Sequence, residues 1–165
     1  MLDYSKVEDA ILYVCKKFAD VESTKPTLLH SIRCGMELLN NGYGTDIVIA
    51  GILHDSIEDT NATSEDIERL FNEEIARIVA ANTKDPTIED KNKRREELIK
   101  RCCNSGLEAT IVKVSDIYDN YLYYKATNNI ELVNYCLELK DYVQKYSKPD
   151  AIKTDFIRLT LDKIR

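Results

Sequence analysis

Apolar residues recur at every third or fourth position along most of the chain, and only a few polar or glycine-bearing points break the recurrence. Val7, Ile11, Val14, Cys15 and Phe18 share one face of a helix predicted over residues 4–19. Ser23 or Thr24 reads as the N-cap of a second helix, with Pro26 near its first turn, and Asn40-Asn41-Gly42 stops it. Thr45 reads as the cap of a third helix running to about residue 57. Ser64-Glu65-Asp66 opens a short helix to about Phe71, and another follows over residues 73–84. After Pro86 a charged stretch becomes helical over about 90–103, and Asn104-Ser105-Gly106 breaks it. A long apolar helix is predicted over 107–126, with further helices near 130–146 and 149–164. No stretch alternates with a period of two. The pattern predicts an all-α fold, a single irregular multi-helix domain over residues 1–165, without repeats or low-complexity segments.

Composition narrows this picture more than it extends it. Hydrophobic residues make up 44% and charged residues 32% of the 165, enough to bury one core. No apolar run approaches the ~20 residues of a membrane span, and the N-terminus lacks a signal-peptide pattern, so a cytoplasmic protein is expected. The 23 Lys and Arg against 29 Asp and Glu leave a net charge of −6, which argues against a nucleic-acid partner. A phosphate-bearing ligand would then need a local basic lining or a metal ion. The cysteines at 15, 34, 102, 103 and 136 have no CxxC spacing and read as reduced thiols with packing roles.

Chemistry concentrates in GILHDSIEDT, residues 51–60. Val48, Ile49, Ala50, Ile52 and Leu53 cover most of a helix circumference, so the N-terminal half of the third helix is expected to be buried all round. His54 and Glu58, and Asp55 and Asp59, are then i,i+4 pairs at its C-terminal end. The helix dipole makes three carboxylates unwelcome there, and a bound cation reverses that sign. His54-Asp55 alone is half a site, because the two side chains point about 100° apart. The one other histidine, His30, lies in KPTLLHSIRCGMELL; taken alone it reads as a satisfied core histidine, but two histidines on apolar helices favour a shared ion. Asp116, interrupting Ile111, Val112, Val114 and Ile117, is a fourth candidate ligand, with Asn120 one turn later on the same face.

His30, His54-Asp55 and Asp116 in this order resemble the HD-domain metal-dependent phosphohydrolases. The surrounding segments PTLLH, LHDSIEDT and KVSDIYDN are similar to the hydrolase domain of the RelA/SpoT (guanosine tetraphosphate) family, and the likeness runs over residues 16–125. The resemblance implies a manganese ion held by His30, His54, Asp55 and Asp116, with Fe2+ or Co2+ also suited to mixed imidazole and carboxylate ligation. It implies that Glu58 and Asp59 orient or deprotonate the attacking water and protonate the leaving group. Their alternative is a frayed acidic helix end leading into Thr60-Asn61-Ala62. The implied reaction removes the 3′-diphosphate of guanosine tetraphosphate as pyrophosphate, in a stand-alone hydrolase. Asn120 matches a substrate-contacting position, and Lys91 and Arg94, among Lys91, Lys93, Arg94 and Arg95, are the candidate phosphate contacts. One of Tyr118, Tyr121, Tyr123 and Tyr124 is a candidate for stacking on a base.

Three departures touch the substrate end. Val21-Glu22 stands where an Arg-Lys pair is usual, with Lys25 as the nearest cation; Ile117 replaces a basic residue, and Ser31 replaces a proline. Hydrolysis of another nucleotide phosphate, or a non-catalytic nucleotide sensor, are the alternative functions.

Overall fold

The computed structural model describes residues 2–165, and contacts divide the chain into two units, one ending at Thr83 and the other spanning Lys84–Arg165. The first contains α1 (Tyr4–Lys17), α2 (Thr27–Asn40), α3 (Thr45–Leu53), α4 (Ser56–Asp59), α5 (Ser64–Leu70) and α6 (Glu73–Asn82). The second contains α7 (Lys91–Ser105), α8 (Leu107–Ala126), α9 (Ile130–Tyr146), α10 (Pro149–Ile152) and α11 (Asp155–Lys163). There is no strand among the described residues, and the expected all-α class holds.

Each unit is organised around one helix that has lost its polar face. In the first, α3 packs against α1, α2 and α6, and every residue from Val48 to Leu53 is buried. In the second, α8 packs against α7, α9 and α11, and residues 109–117 are buried without interruption, Lys113 and Asp116 among them. A helix apolar all round has no stable place except between other helices. These two therefore fix where any ionisable residue they carry must sit.

The ends of the helices follow local hydrogen bonding. Asp3, Thr63, Asn72, Asp90 and Asn129 each accept a backbone N–H of the following first turn. Several boundaries differ from the sequence expectation. Thr45 does not cap α3: Gly44 occupies that position, and the Thr45 hydroxyl instead accepts the Asp3 N–H at 2.8 Å, tying the start of α1 to α3. Pro26, not Ser23 or Thr24, precedes the first residue of α2. The helix expected over 149–164 is two, because Thr154 adopts the extended cap conformation of α11 while its hydroxyl bonds back to the Asp150 carbonyl.

Candidate metal centre

The centre in the first unit starts from two glycines. Where α2 crosses α3, a Cβ on Gly35 would lie 2.2 Å from Ile52 Cγ1, and one on Gly51 would lie 2.6 Å from Leu38 Cδ1 and 3.3 Å from Gly35 Cα. Only hydrogen at both positions lets the two backbones approach this closely. The approach brings His30 of α2 and His54, the residue that ends α3, ring against ring: centroids are 5.1 Å apart and the planes 75° from parallel. Both residues are fully buried.

The helix expected to run to residue 57 pauses at His54-Asp55 before α4. Two side chains take carbonyls of the last α3 turn: Ser56 Oγ donates to the Leu53 carbonyl at 2.7 Å, and His54 Nδ1 to the Gly51 carbonyl at 2.8 Å. The second bond also sets the chemistry of the ring. A carbonyl only accepts, so Nδ1 carries a proton, and in the neutral ring Nε2 is then the nitrogen with the lone pair.

Asp55 faces both rings. Its Oδ1 lies 3.3 Å from His54 Nε2 and its Oδ2 lies 3.5 Å from His30 Nε2, with the carboxylate one-fifth exposed. A lone-pair nitrogen opposite a carboxylate oxygen is a repulsive contact between acceptors, and a cation between them turns it into attraction. The His54 bond to the Gly51 carbonyl also suits a ligand, since a metal-binding imidazole typically donates its other N–H to a carbonyl or carboxylate. The donors fit a divalent ion.

Cys34 belongs to the same cluster. It is fully buried, its Sγ lies 3.8 Å from His30 Nδ1 and 4.0 Å from Nε2, and donor atoms of His30, Cys34 and His54 fall within 4.8 Å of one another. Of the five cysteines expected to have packing roles, Cys34, Cys102, Cys103 and Cys136 are buried and Cys15 is exposed. The i,i+4 spacing from His30 was the signal that puts Cys34 on the histidine's face. On α4, Glu58 is half-buried and Asp59 exposed, and the Asp59 N–H bonds the Asp55 carbonyl at 2.9 Å, so both follow Asp55 in one turn.

Also in the first unit, a cavity of about 410 Å³ is lined by Phe18, Val21, Lys25, Pro26, Leu29 and Ile32, among others. It draws its wall from the start of α2, the helix that carries His30, and from the segment where Val21 departs from the expected basic pair.

In the second unit Asp116 is buried and held at both oxygens: Lys113 Nζ donates to Oδ2 at 2.9 Å and Asn120 Nδ2 to Oδ1 at 2.6 Å. Lys113, three residues earlier on α8, thus supplies a counter-charge that the sequence reading sought only from a cation. Lys91 and Lys93 are exposed at the start of α7 and Arg94 is half-buried, whereas Arg95 is engaged with Glu138 at 3.4 Å and lies over the Tyr135 ring. Of the four tyrosines, Tyr121 is buried with its hydroxyl on the Arg165 carbonyl, Tyr118 lies under Lys163, and Tyr123 and Tyr124 pack edge to face. Burial pushes the Tyr124 hydroxyl up to about 12.

Comparison with known proteins places the chain in a family. Residues 31% identical over 98 positions relate the chain to the guanosine-3′,5′-bis(diphosphate) 3′-pyrophosphohydrolase of Aquifex aeolicus, covering 58% of this chain and 14% of that protein. The enzymes of the same name from Danio rerio and Homo sapiens are 32% and 33% identical, covering 61% and 59% of this chain and 56% and 54% of theirs. The match therefore spans about half the length of these animal relatives and much less of the bacterial one. The solved structure of a metazoan ortholog of SpoT that hydrolyses ppGpp superposes with a TM-score of 0.79 at 21% identity, covering 99% of this chain and 96% of that one. A Listeria monocytogenes protein superposes with a TM-score of 0.67 at 24% identity, covering 86% of this chain and 99% of that one. These likenesses carry the fold. The HD domain family profile matches residues 12–102, more than half of the chain, and the chain belongs to the HD-domain family.

Proposed function

We propose that this chain is a metal-dependent phosphohydrolase that removes the 3′-diphosphate of guanosine 3′,5′-bis(diphosphate) as pyrophosphate, and that residues 1–165 act as one hydrolase domain. The observation that carries the reading is the Asp55 carboxylate, which offers one oxygen to each of two buried imidazoles whose helices are forced together by Gly35 and Gly51. The pyrophosphohydrolase names of the aligned relatives supply the substrate class.

An HD-domain hydrolase implies a divalent metal. Our reading assigns it to His30, His54, Asp55 and Asp116, with Mn2+ as the ion that the family resemblance implies and Fe2+ or Co2+ suited to the same donors. When bound, the ion supplies Lewis acidity toward a phosphoryl oxygen and makes water more acidic. Glu58 and Asp59 together orient the attacking water, take up its proton and pass a proton to the departing oxygen. Asn120 contacts the substrate beside Asp116, and Lys91 and Arg94 meet its phosphates. Lys113 keeps the Asp116 carboxylate oriented. Five free cysteines suit a reducing, cytoplasmic setting.

The test is anion-exchange chromatography of guanosine tetraphosphate incubated with the protein, with Mn2+ and with a chelator. Metal-dependent GDP and pyrophosphate are expected. Intact substrate from metal-loaded protein would overturn the assignment of substrate. The cavity behind Phe18 and Val21 favours a second reading in that event, because it offers a guanine base one cation, Lys25, among apolar walls. The substrate would then be another nucleotide phosphate.

A further inference from the structure

We propose that Cys34 is a thiolate ligand of the metal held by His30, His54 and Asp55, giving the centre a sulfur donor and a preference for thiophilic ions over Mn2+. The inference rests on the reading of the two histidines as metal ligands and adds to it a residue that the aligned motifs do not include.

Three observations carry it. Cys34 stands one helical turn after His30 on α2, so the crossing that delivers His30 to the centre delivers the thiol as well. The sulfur is fully buried and lies 3.8 and 4.0 Å from the two nitrogens of the His30 ring. The donor atoms of His30, Cys34 and His54 also share a sphere in which no separation exceeds 4.8 Å. In a tetrahedral site with Zn–S about 2.3 Å and Zn–N about 2.0 Å, sulfur and nitrogen ligands sit about 3.6 Å apart. A thiol that merely packs needs none of this coincidence.

Residues 30–55 thereby present two imidazoles, one carboxylate and one thiol, a donor set within the first unit alone. On binding, the sulfur–metal bond forms as the S–H proton leaves to solvent, so uptake releases one more proton than an all-nitrogen-and-oxygen site would. Thiolate ligation selects Zn2+, Fe2+ and Co2+ over the harder Mn2+.

The experiment is an anaerobic Co2+ titration of the full chain, wild type and Cys34→Ser, followed by absorption spectroscopy and by Zn2+ and Mn2+ affinities. The wild type is expected to develop a near-ultraviolet sulfur-to-Co2+ charge-transfer band together with visible d–d bands. Cys34→Ser should keep the d–d bands, lose the charge-transfer band, and lower the ratio of Zn2+ to Mn2+ affinity by about tenfold or more. Wild-type d–d bands without charge transfer would overturn the ligand while leaving the histidine centre standing. A charge-transfer band that persists in Cys34→Ser would assign the sulfur elsewhere and overturn it too. No Co2+ spectrum from either protein would overturn this inference and the metal reading beneath it. Cys34→Ala provides the same comparison if circular dichroism shows that serine is not accommodated.

Discussion

The crossing of α2 and α3 invites a direct perturbation. Gly35→Ala adds one carbon 2.2 Å from Ile52 Cγ1 and 3.1 Å from both Ile52 Cδ1 and the Val48 carbonyl oxygen. Carbons in contact normally lie about 3.5–4.0 Å apart, so the overlap is about 1.5 Å. Ile52 is fully buried and β-branched, and Val48 contributes backbone, so neither yields cheaply. Relief must come from an off-rotamer Ile52 or from separation of the helices. Overpacking of this kind costs about 1–3 kcal/mol, and the better helix propensity of alanine offsets about 1 kcal/mol of it. The net loss is then up to about 2 kcal/mol, which for a chain of this size lowers Tm by up to about 8 °C. The second consequence is chemical. Helices that separate move His30 from His54, and metal affinity should fall about 10- to 100-fold, the range seen when the support of a ligand is disturbed. Thermal melts and metal titration measure the two effects separately. Gly44→Ala is the control: nothing lies within 4 Å of its added carbon, and it should change stability by less than about 1 kcal/mol. A Gly35→Ala protein with wild-type Tm and wild-type metal affinity would refute the claim that this contact sets the spacing of the histidines.

Other perturbations separate the roles assigned above. Glu58→Ala should leave metal affinity unchanged and lower turnover about a hundredfold or more, the usual contribution of a positioned acid or base; unchanged turnover would remove Glu58 from the mechanism. Lys113→Met withdraws the ammonium that meets Asp116 in a buried pair, and urea unfolding should show a loss of about 3–5 kcal/mol. If Asp116 also binds the ion, added Mn2+ should stabilise this variant more than the wild type, and an equal increment would count against that role. Burial pushes the Cys102 thiol up to about 12, whereas Cys15 is exposed, so alkylation at pH 8 should label Cys15 first and Cys102 only on unfolding. Peptide mass spectrometry that finds equal native labelling would contradict the packing around Cys102.

Much of the fold was legible because helical periodicity and its interruptions coincide here. The span 107–126 predicted for the long apolar helix is that of α8, which follows Gly106, a residue at φ +130° where a side chain would be strained. Boundaries set by side chain-to-backbone bonds were not legible. The pause at His54-Asp55 depends on Ser56 and His54 competing for α3 carbonyls, and the Thr45 hydroxyl is occupied by Asp3, 42 residues away in sequence. Periodicity describes one helix at a time and contains neither fact. The candidate residues were legible by a different route, as charges in runs otherwise fit only for burial. Their geometry was not, because it depends on two glycines meeting across helices, and a lone glycine in a helix reads first as a weak point. Cys34 is legible only beside His30, because its i,i+4 spacing puts it on the histidine's face of α2 and no cysteine spacing contains that relation.

The placement of these charges raises the question of how the fold tolerates them before any ion binds. An ionised group taken into an apolar interior costs several kcal/mol unless it is paired and hydrogen-bonded. The chain meets this differently at its two buried helices. At the end of α3 the His54 Nδ1–H donates to one carbonyl, that of Gly51, which orients the ring and costs no charge. On α8 the Asp116 carboxylate stays ionised because Lys113 and Asn120 occupy its oxygens. One device orients a ring and the other gives an anion its own cation, so neither requires metal in order to fold. Each arrangement separates folding from loading: the protein can be made and packed without an ion. That division predicts a chain that stays helical under chelation while losing its activity, unlike small domains whose fold is the metal site itself.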